Sequence, residues 1–579
     1  MRTALRWGAA VVAAAVLLGP ELAVLLTHPG SAPPLPWVAW TAVVTTPAVW
    51  HTWLLLVVLS GVGAAYLALT RGAASGAGEG PDTTFGTARW GQPERADGVA
   101  RWTAGRSDNP AGLVVGAVPA KGRVQRAWVS VQDGHALLIG APGTRKSTSV
   151  LLPTLAVIGQ GGAGLVVTDP KGELYASASG LLSLDGYTVV RVDFRNPADS
   201  ASWNALGPVG DALGAGDAAG ASRAARELAS VLAEQGAAGG KHSAFFRQST
   251  TALLTALVLL VADQAPPDAR HLGSVYRTLI EVRDLDAVFD ALPPDHPAAL
   301  AYGPVRLSGQ ETRQNQLTVA ATALGLWADP GVVALTGRDS VDWTRLATDR
   351  LAVFIVIPDE SSAFYGAAAL FVQQQLQALS QAAARQPGQR LPRPVYWILD
   401  EFGNLPVLPD FDKTLNVGRG KGIRLVLAVQ ALAQISARYG DRAAEAMQNA
   451  CATWVYLGGN DVTTARVISE KTGQSTVRVL SESRMAGGHQ NTTSYTGRPL
   501  LTPDEVLRWP WGHALVQQMG ALPLKLGLRR YTDWPGAWGP MPEEATGPAG
   551  IPPLWRPGLV PPAAPPTAEG FRILRAEGD

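Results

Sequence analysis

Gly140-Ala141-Pro142-Gly143-Thr144-Arg145-Lys146-Ser147 sets glycines, hydroxyl side chains and a lysine between an apolar run at 136–139 and another at 150–155. Strand, glycine-bearing turn and helix in that order are the setting in which backbone N–H groups at a helix start cradle phosphate. Lys146 would reach the β- and γ-phosphates of a nucleoside triphosphate, and the Ser147 hydroxyl would bind Mg2+. Gly140, Gly143, Thr144, Arg145, Lys146, Ser147 and Thr148 are the candidate nucleotide-binding residues. Arg145 stands where such a loop has its second glycine, and a side chain there crowds the backbone or restricts its conformation. Taken alone, the run reads equally well as a Gly/Pro turn before a helix.

A second run, Val395-Tyr396-Trp397-Ile398-Leu399, is apolar and ends in Asp400-Glu401. Adjacent carboxylates at the C-terminal end of a buried strand divide the work of phosphoryl transfer: Asp400 would hold the Mg2+ shell and Glu401 would polarise the attacking water. A strand followed by a solvated acidic turn has the same local pattern. Both motifs in order, on separate strands of one α/β domain, point to a single ATP and Mg2+ site. Its metal ligands would be Ser147 and Asp400, and its catalytic carboxylate Glu401. Gln430, after the apolar run 425–429, is placed to sense the γ-phosphate from the neighbouring strand, or is simply solvated there.

Two further groups are open to two readings each. Asp169-Pro170-Lys171-Gly172-Glu173-Leu174 follows another strand-like run, and there Asp169 serves as a helix N-cap with Pro170 at the first helical position, or belongs to the site. Lys413, Arg419, Lys421 and Arg424 form a basic cluster, either a solvated charged loop or a source of a phosphate-contacting arginine acting in trans.

The elements that must position these residues alternate between short apolar runs and helical patterns, as in an α/β domain with a largely parallel sheet. Runs at 136–139, 165–168, 188–192, 351–357, 395–399, 425–429 and 453–457 predict seven strands of one sheet. Between 206 and 340 the pattern turns Ala-rich and amphipathic, which predicts an all-α insertion; the apolar run 252–262 is too short for a bilayer and predicts a buried helix. The nucleotide-binding domain is thereby split into 81–205 and 341–535, and residues 536–579 read as a Pro-rich flexible tail.

Residues 22–70 hold no Asp, Glu, Lys or Arg. The spacing predicts two membrane helices, near 5–26 and 49–69, within an anchor and linker at 1–80. Arg2 and Arg6 before them and Arg71 after them place both ends in the cytoplasm by the positive-inside rule. A cleaved signal peptide is the competing reading of the first segment, which Pro20 and Glu21 interrupt. With 579 residues the chain has room for several domains. A net charge of +1 excludes a global basic field, so any nucleic-acid surface must be local. The single Cys451 makes no intrachain disulfide, and no Cys/His pattern has metal spacing.

Read together, Asp169-Pro-Lys-Gly-Glu-Leu-Tyr175, Asp193-Phe-Arg-Asn-Pro197 with Trp203-Asn204, Leu399-Asp-Glu-Phe-Gly-Asn404 and Gly418-Arg-Gly-Lys-Gly-Ile423 resemble the TraG/TraD-type coupling proteins of type IV secretion and conjugation. Phe85-Gly-Thr-Ala-Arg-Trp90, Val429-Gln-Ala-Leu-Ala-Gln434, Leu457-Gly-Gly-Asn-Asp461 and Arg498-Pro-Leu-Leu-Thr-Pro503 extend the likeness over about residues 1 to 535. The resemblance implies a RecA-like P-loop NTPase domain with an all-α domain inserted, a two-helix membrane anchor in the inner or plasma membrane, and a homo-hexameric ring. It implies as partners single- or double-stranded DNA bound to a relaxase, or a secreted protein, and the components of a type IV secretion channel. Within it Arg419 corresponds to an arginine finger acting on the ATP of the adjacent subunit. Two alternatives stay open: a coupling receptor for protein effectors, and a docking component in which Arg145 marks a degenerate nucleotide site.

Overall fold

The computed structural model describes residues 20, 22–23, 26–27, 36–55, 57–58, 83–120, 122–237, 244–358, 364–485, 488–541 and 550–557. The chain divides into two compact units, Met1–Thr87 with Gln474–Arg498, and Ala88–Gly473 with Pro499–Asp579. In the first unit a helix spans Pro36–Thr45; its Val43 is buried together with Ala23 and with Val49, which lies beyond the helix. Most of both expected membrane helices lies outside the described residues. Among the described residues no single helix is long and apolar enough to cross a membrane.

The second unit opens with a three-stranded antiparallel sheet of β1 (Val99–Thr103), β2 (Leu113–Ala120) and β3 (Arg123–Ser130), in the order β1-β3-β2. Then come β4 (His135–Ile139), β5 (Gly164–Asp169), β6 (Thr188–Asp193), β7 (Leu351–Val356), β8 (Val395–Leu399), β9 (Ile423–Val429) and β10 (Cys451–Tyr456). These seven are the seven predicted runs, and they lie mutually parallel in the order β10-β4-β9-β8-β5-β7-β6. The hairpin of β11 (Gln474–Met485) and β12 (Gly488–Pro499) belongs to the first unit and forms its own two-stranded sheet. Beyond β10 the large sheet continues through β13 (His513–Gln518), antiparallel to β10, and β14 (Leu524–Gly527), antiparallel to β13, which completes nine strands.

Helices cover both faces, which is why the parallel strands are continuous apolar runs. Leu137 and Ile139 of β4 enter one core while Ala136 and Leu138 enter the other, and β7 splits likewise between Val353 and Ile355 on one face and Ala352 and Phe354 on the other. The helices Leu152–Gly161 and Glu173–Leu184 cover the second face. The first is packed by Tyr365–Ala384 and by the segment between β6 and β7, whose described elements are all helical. Within that segment Ala244–Gln264 carries the run 252–262, and its residues Leu253 to Ala262 are nearly all buried. Burying about ten apolar side chains, at roughly 1.5–3 kcal/mol each, is the main term holding this helix in place.

Within the stretch read as a tail, residues 536–541 and 550–557 are described and make specific contacts. The Gly539 amide donates to the Ser177 carbonyl, and the Met541 amide to Ser179 Oγ. Farther on, the Trp555 amide donates to Ser274 Oγ, His271 Nε2 lies 3.0 Å from the Pro553 carbonyl, and Arg556 pairs with Glu281. Just before this stretch Trp534 is buried against Trp102, and within it Trp555 packs on the large core. Aromatic residues scattered among the prolines supply apolar area that a uniformly Pro/Gly sequence lacks.

Candidate nucleotide site

Register places the chemistry. Ile139 of β4 pairs with Val429 of β9, and Leu427 of β9 pairs with Leu399 of β8, so Gly140, Gln430 and Asp400-Glu401 leave the sheet along one edge. In open α/β sheets that edge, the carboxyl ends of the strands, is where ligands bind.

The loop after β4 is held by backbone bonds: the Gly140 amide donates to the Val429 carbonyl, and the Ala141 amide to the Gly458 carbonyl. Gly140 is required by space, because a Cβ there would stand 2.4 Å from Thr144 Oγ1 and 3.2 Å from Lys146 Cγ. Gly143 turns the chain at φ +82 and Arg145 follows at φ +67. Arg145 thus takes the left-handed conformation that glycine adopts without strain, and its side chain projects into solvent. Restriction, not crowding, is the cost of this residue. The helical turn that follows opens at Ser147.

Lys146 is only 7 % exposed; its ammonium donates to the Gly140 carbonyl at 2.6 Å and lies 3.9 Å from Glu401 Oε1. Burial lowers its pKa, while Glu401 and Asp400 oppose that shift. Glu401 sits at φ +50, and its Oε2 accepts a 2.9 Å hydrogen bond from Gln430 Nε2. Gln430 is itself fixed, since its backbone amide donates to Gln434 Oε1. Lys146, Glu401 and Gln430, from three different elements, therefore form one chain of polar contacts.

Asp400 is buried beside them. Its Oδ1 accepts from the Glu401 amide, and its carbonyl accepts from Thr168 Oγ1. Burial, and then the neighbouring Glu401 charge, push its carboxyl up to about 7, with Lys146 pulling the other way. Asp169 is pushed up to about 6 by burial, and it adds its own charge to the field at Asp400. Asp169 Oδ2 accepts from the Tyr175 amide, so it serves the start of the helix Glu173–Leu184 while standing at the site. Gly172, not Asp169, is the N-cap, and Pro170 precedes the helix.

The residues fit a nucleotide and Mg2+. Thr148 Oγ1 is a buried hydroxyl with no hydrogen-bond partner among the described residues, within the turn where phosphate oxygens would lie. Excess carboxylate charge around Asp400 favours a divalent cation. Among the described residues no three His, Cys, Asp or Glu form a cage, so such an ion would share its shell with phosphate oxygens and water, as Mg2+ does.

Arg419 is not brought to this cluster. Its helix, Phe411–Lys421, ends at the opposite edge of the sheet: a Cβ on Gly418 would approach His135, the first residue of β4, and the Arg419 charge acts on that histidine. The other cations of the basic cluster are engaged in cis, Lys413 with Asp410, Lys421 with Ser380 and Arg424 with Asp133. Arg419 alone among these four is exposed without an ion pair to a described residue, beside a cleft lined by Gln448, Lys471 and Gln517. The cluster lies on a helix and a buried strand, not on a charged loop.

Residues 105–535 match the protein family described as type IV secretory system conjugative DNA transfer. The chain belongs to that family. A TraG/TraD-type coupling protein is what the sequence motifs lead to, and relatives agree. The chain is 27 % identical over 415 residues to a probable conjugal transfer protein TraG of Sinorhizobium fredii, covering 69 % of this chain and 62 % of the relative. It is 25 % identical over 411 residues to the protein VirD4 of Agrobacterium fabrum, covering 69 % of this chain and 59 % of that one. The matched stretch is thus less than two thirds of the length of these relatives. Among solved structures, the bacterial conjugative coupling protein TrwB aligns with a TM-score of 0.54 at 17 % identity, covering 82 % of this chain and 99 % of that one. The same protein in complex with ADP and Mg2+ aligns with a TM-score of 0.53, at 17 % identity over 81 % of this chain and all of that one. At such identity the likeness shows the fold alone, an α/β P-loop NTPase fold.

Proposed function

We propose that the protein is a membrane-anchored ATPase coupling protein that recruits relaxase-bound DNA and drives it into a type IV secretion channel. The observation that carries this reading is the contact chain Lys146–Glu401–Gln430, which joins the phosphate loop to the carboxylate pair across β9. Lys146 would exchange the Gly140 carbonyl and Glu401 for phosphate oxygens, and Glu401, released from the ammonium but still oriented by Gln430, would take the proton of the attacking water. Ser147 and Asp400 would hold Mg2+, which neutralises charge on the β- and γ-phosphate oxygens. Arg419, exposed at the far edge of the sheet, would act on ATP held by an adjacent subunit of a hexameric ring.

The test is ATP hydrolysis by the full chain in lipid nanodiscs, with and without single- and double-stranded DNA. Glu401→Gln is expected to lower turnover by about 10²- to 10⁴-fold, the usual scale of a lost general base. Equal hydrolysis by both proteins would sink the catalytic assignment. The near-neutral net charge of +1 leaves a second reading open, a receptor for protein effectors. A ring that grips DNA by its backbone binds it with steep salt dependence, and DNA binding that is absent or indifferent to salt would favour the protein-cargo reading.

A further inference from the structure

Trp511 is the most exposed tryptophan among the described residues, at 69 %. Its indole makes no ring or cation contact with any described residue, although its backbone is well held. The next residue, Gly512, turns at φ +72, and its carbonyl accepts from the Leu528 amide at 2.7 Å. A rigid backbone that presents a bare aromatic face invites the question of what covers it. The ring stands over the phosphate loop: Trp511 Cη2 is 3.9 Å from where a Cβ on Gly143 would be.

The sheet sets the direction. The carboxylates lie on the β9–β8 side of the loop, whereas Trp511 precedes β13, which reaches β4 through β10 on the other side. A nucleotide whose terminal phosphate lies toward Lys146 and Glu401 carries its base away from them, toward β10 and β13. We infer that the Trp511 indole is the stacking platform for the nucleobase, a role that rests on the nucleotide reading of the loop. Every base has a π-face, so such a platform supplies affinity without choosing among bases. Recognition of the triphosphate stays with the loop.

The experiment measures binding of Mg2+–ATP, Mg2+–GTP and Mg2+–tripolyphosphate to the full chain in nanodiscs, for wild type, Trp511→Ala and Trp511→Phe. Trp511→Ala is expected to weaken ATP and GTP alike by about 5- to 150-fold, the range found for loss of one base–aromatic stack. Tripolyphosphate, which has no base, keeps its affinity, and Trp511→Phe restores nucleotide binding to within a few fold. The inference is overturned if Trp511→Ala binds nucleotides as wild type does, or if tripolyphosphate weakens in parallel, which would mean a disturbed loop. Wild type that binds tripolyphosphate and ATP equally well overturns the platform alone. Wild type that binds none of the three overturns the nucleotide site and the platform with it.

Discussion

Asp400→Asn should make the ligand-free protein more stable at neutral pH while removing its Mg2+ site. The Asp400 carboxyl is raised from 3.8 to about 7 in the folded protein, chiefly by burial. Its native state therefore holds the proton more tightly than the unfolded chain does, so stability is intact below about pH 4 and falls as pH rises toward 7. Over that interval, at roughly 1.4 kcal/mol per pKa unit, the cost of the ionised carboxylate reaches about 4 kcal/mol as a ceiling. Asparagine keeps the shape, can accept the Glu401 amide bond and does not titrate. Unfolding of wild type and variant, with divalent ions chelated, should give curves that coincide below about pH 3.5 apart from a constant offset. They should then diverge in favour of the variant, most steeply between pH 5 and 7. Added Mg2+ and nucleotide should stabilise wild type above pH 7 and leave the variant nearly unchanged. A wild-type-to-variant difference that is constant from pH 4.5 to 8 would refute the argument, because it would mean that Asp400 ionises as easily in the fold as out of it.

Gly140→Ala should keep the fold and lose nucleotide: the added methyl meets Thr144 Oγ1 at 2.4 Å, and overpacking of about 1–3 kcal/mol should appear as at least a tenfold loss of ATP affinity in a binding titration. Unchanged affinity would mean that the loop yields freely there. Arg145→Gly relieves a left-handed side-chain penalty of roughly 1 kcal/mol but adds chain entropy of similar size to the unfolded state. Stability should thus move by less than about 1 kcal/mol in denaturant unfolding, and ATP affinity by less than about fivefold; a reversion that creates binding where wild type has none would show that the loop is degenerate.

How much of this was legible in the sequence follows from burial. Most of the seven parallel strands are buried on both faces and so read as largely apolar runs that a linear reading finds; the edge strand β6, with Thr188 exposed and Arg191 within it, keeps enough valines to be read as well. β1 and β14 are short and only half buried, and β14 alternates Leu524 and Leu526 with the exposed Lys525 and Gly527, too brief a period to stand out. The hairpin β11–β12 is polar along much of its length and gave no apolar signal. At the site, Lys146, Asp400, Glu401 and Gln430 were legible because each sits just past the end of a readable strand. The electrostatic coupling of Asp169 to Asp400 depends on β5 lying beside β8, and the approach of Trp511 to Gly143 depends on β13 joining at β10; sheet order is not written in local sequence. Arg419 shows the same limit. Its place soon after Glu401 in the chain says nothing of the helix that carries it to the other edge.

The bonds that Lys146 makes within its own loop have a consequence for which anions the protein will notice. Its ammonium already donates to the Gly140 carbonyl and faces Glu401, so an arriving ligand gains only the margin by which it outbids these internal partners. A sulfate or a lone orthophosphate offers a modest charge at one point and competes poorly. A polyphosphate with its cation presents more charge along the whole loop and can compensate Glu401 as it takes the lysine away. The resting loop thus acts as a threshold filter, set by internal rivalry, that answers to charge density before it answers to shape.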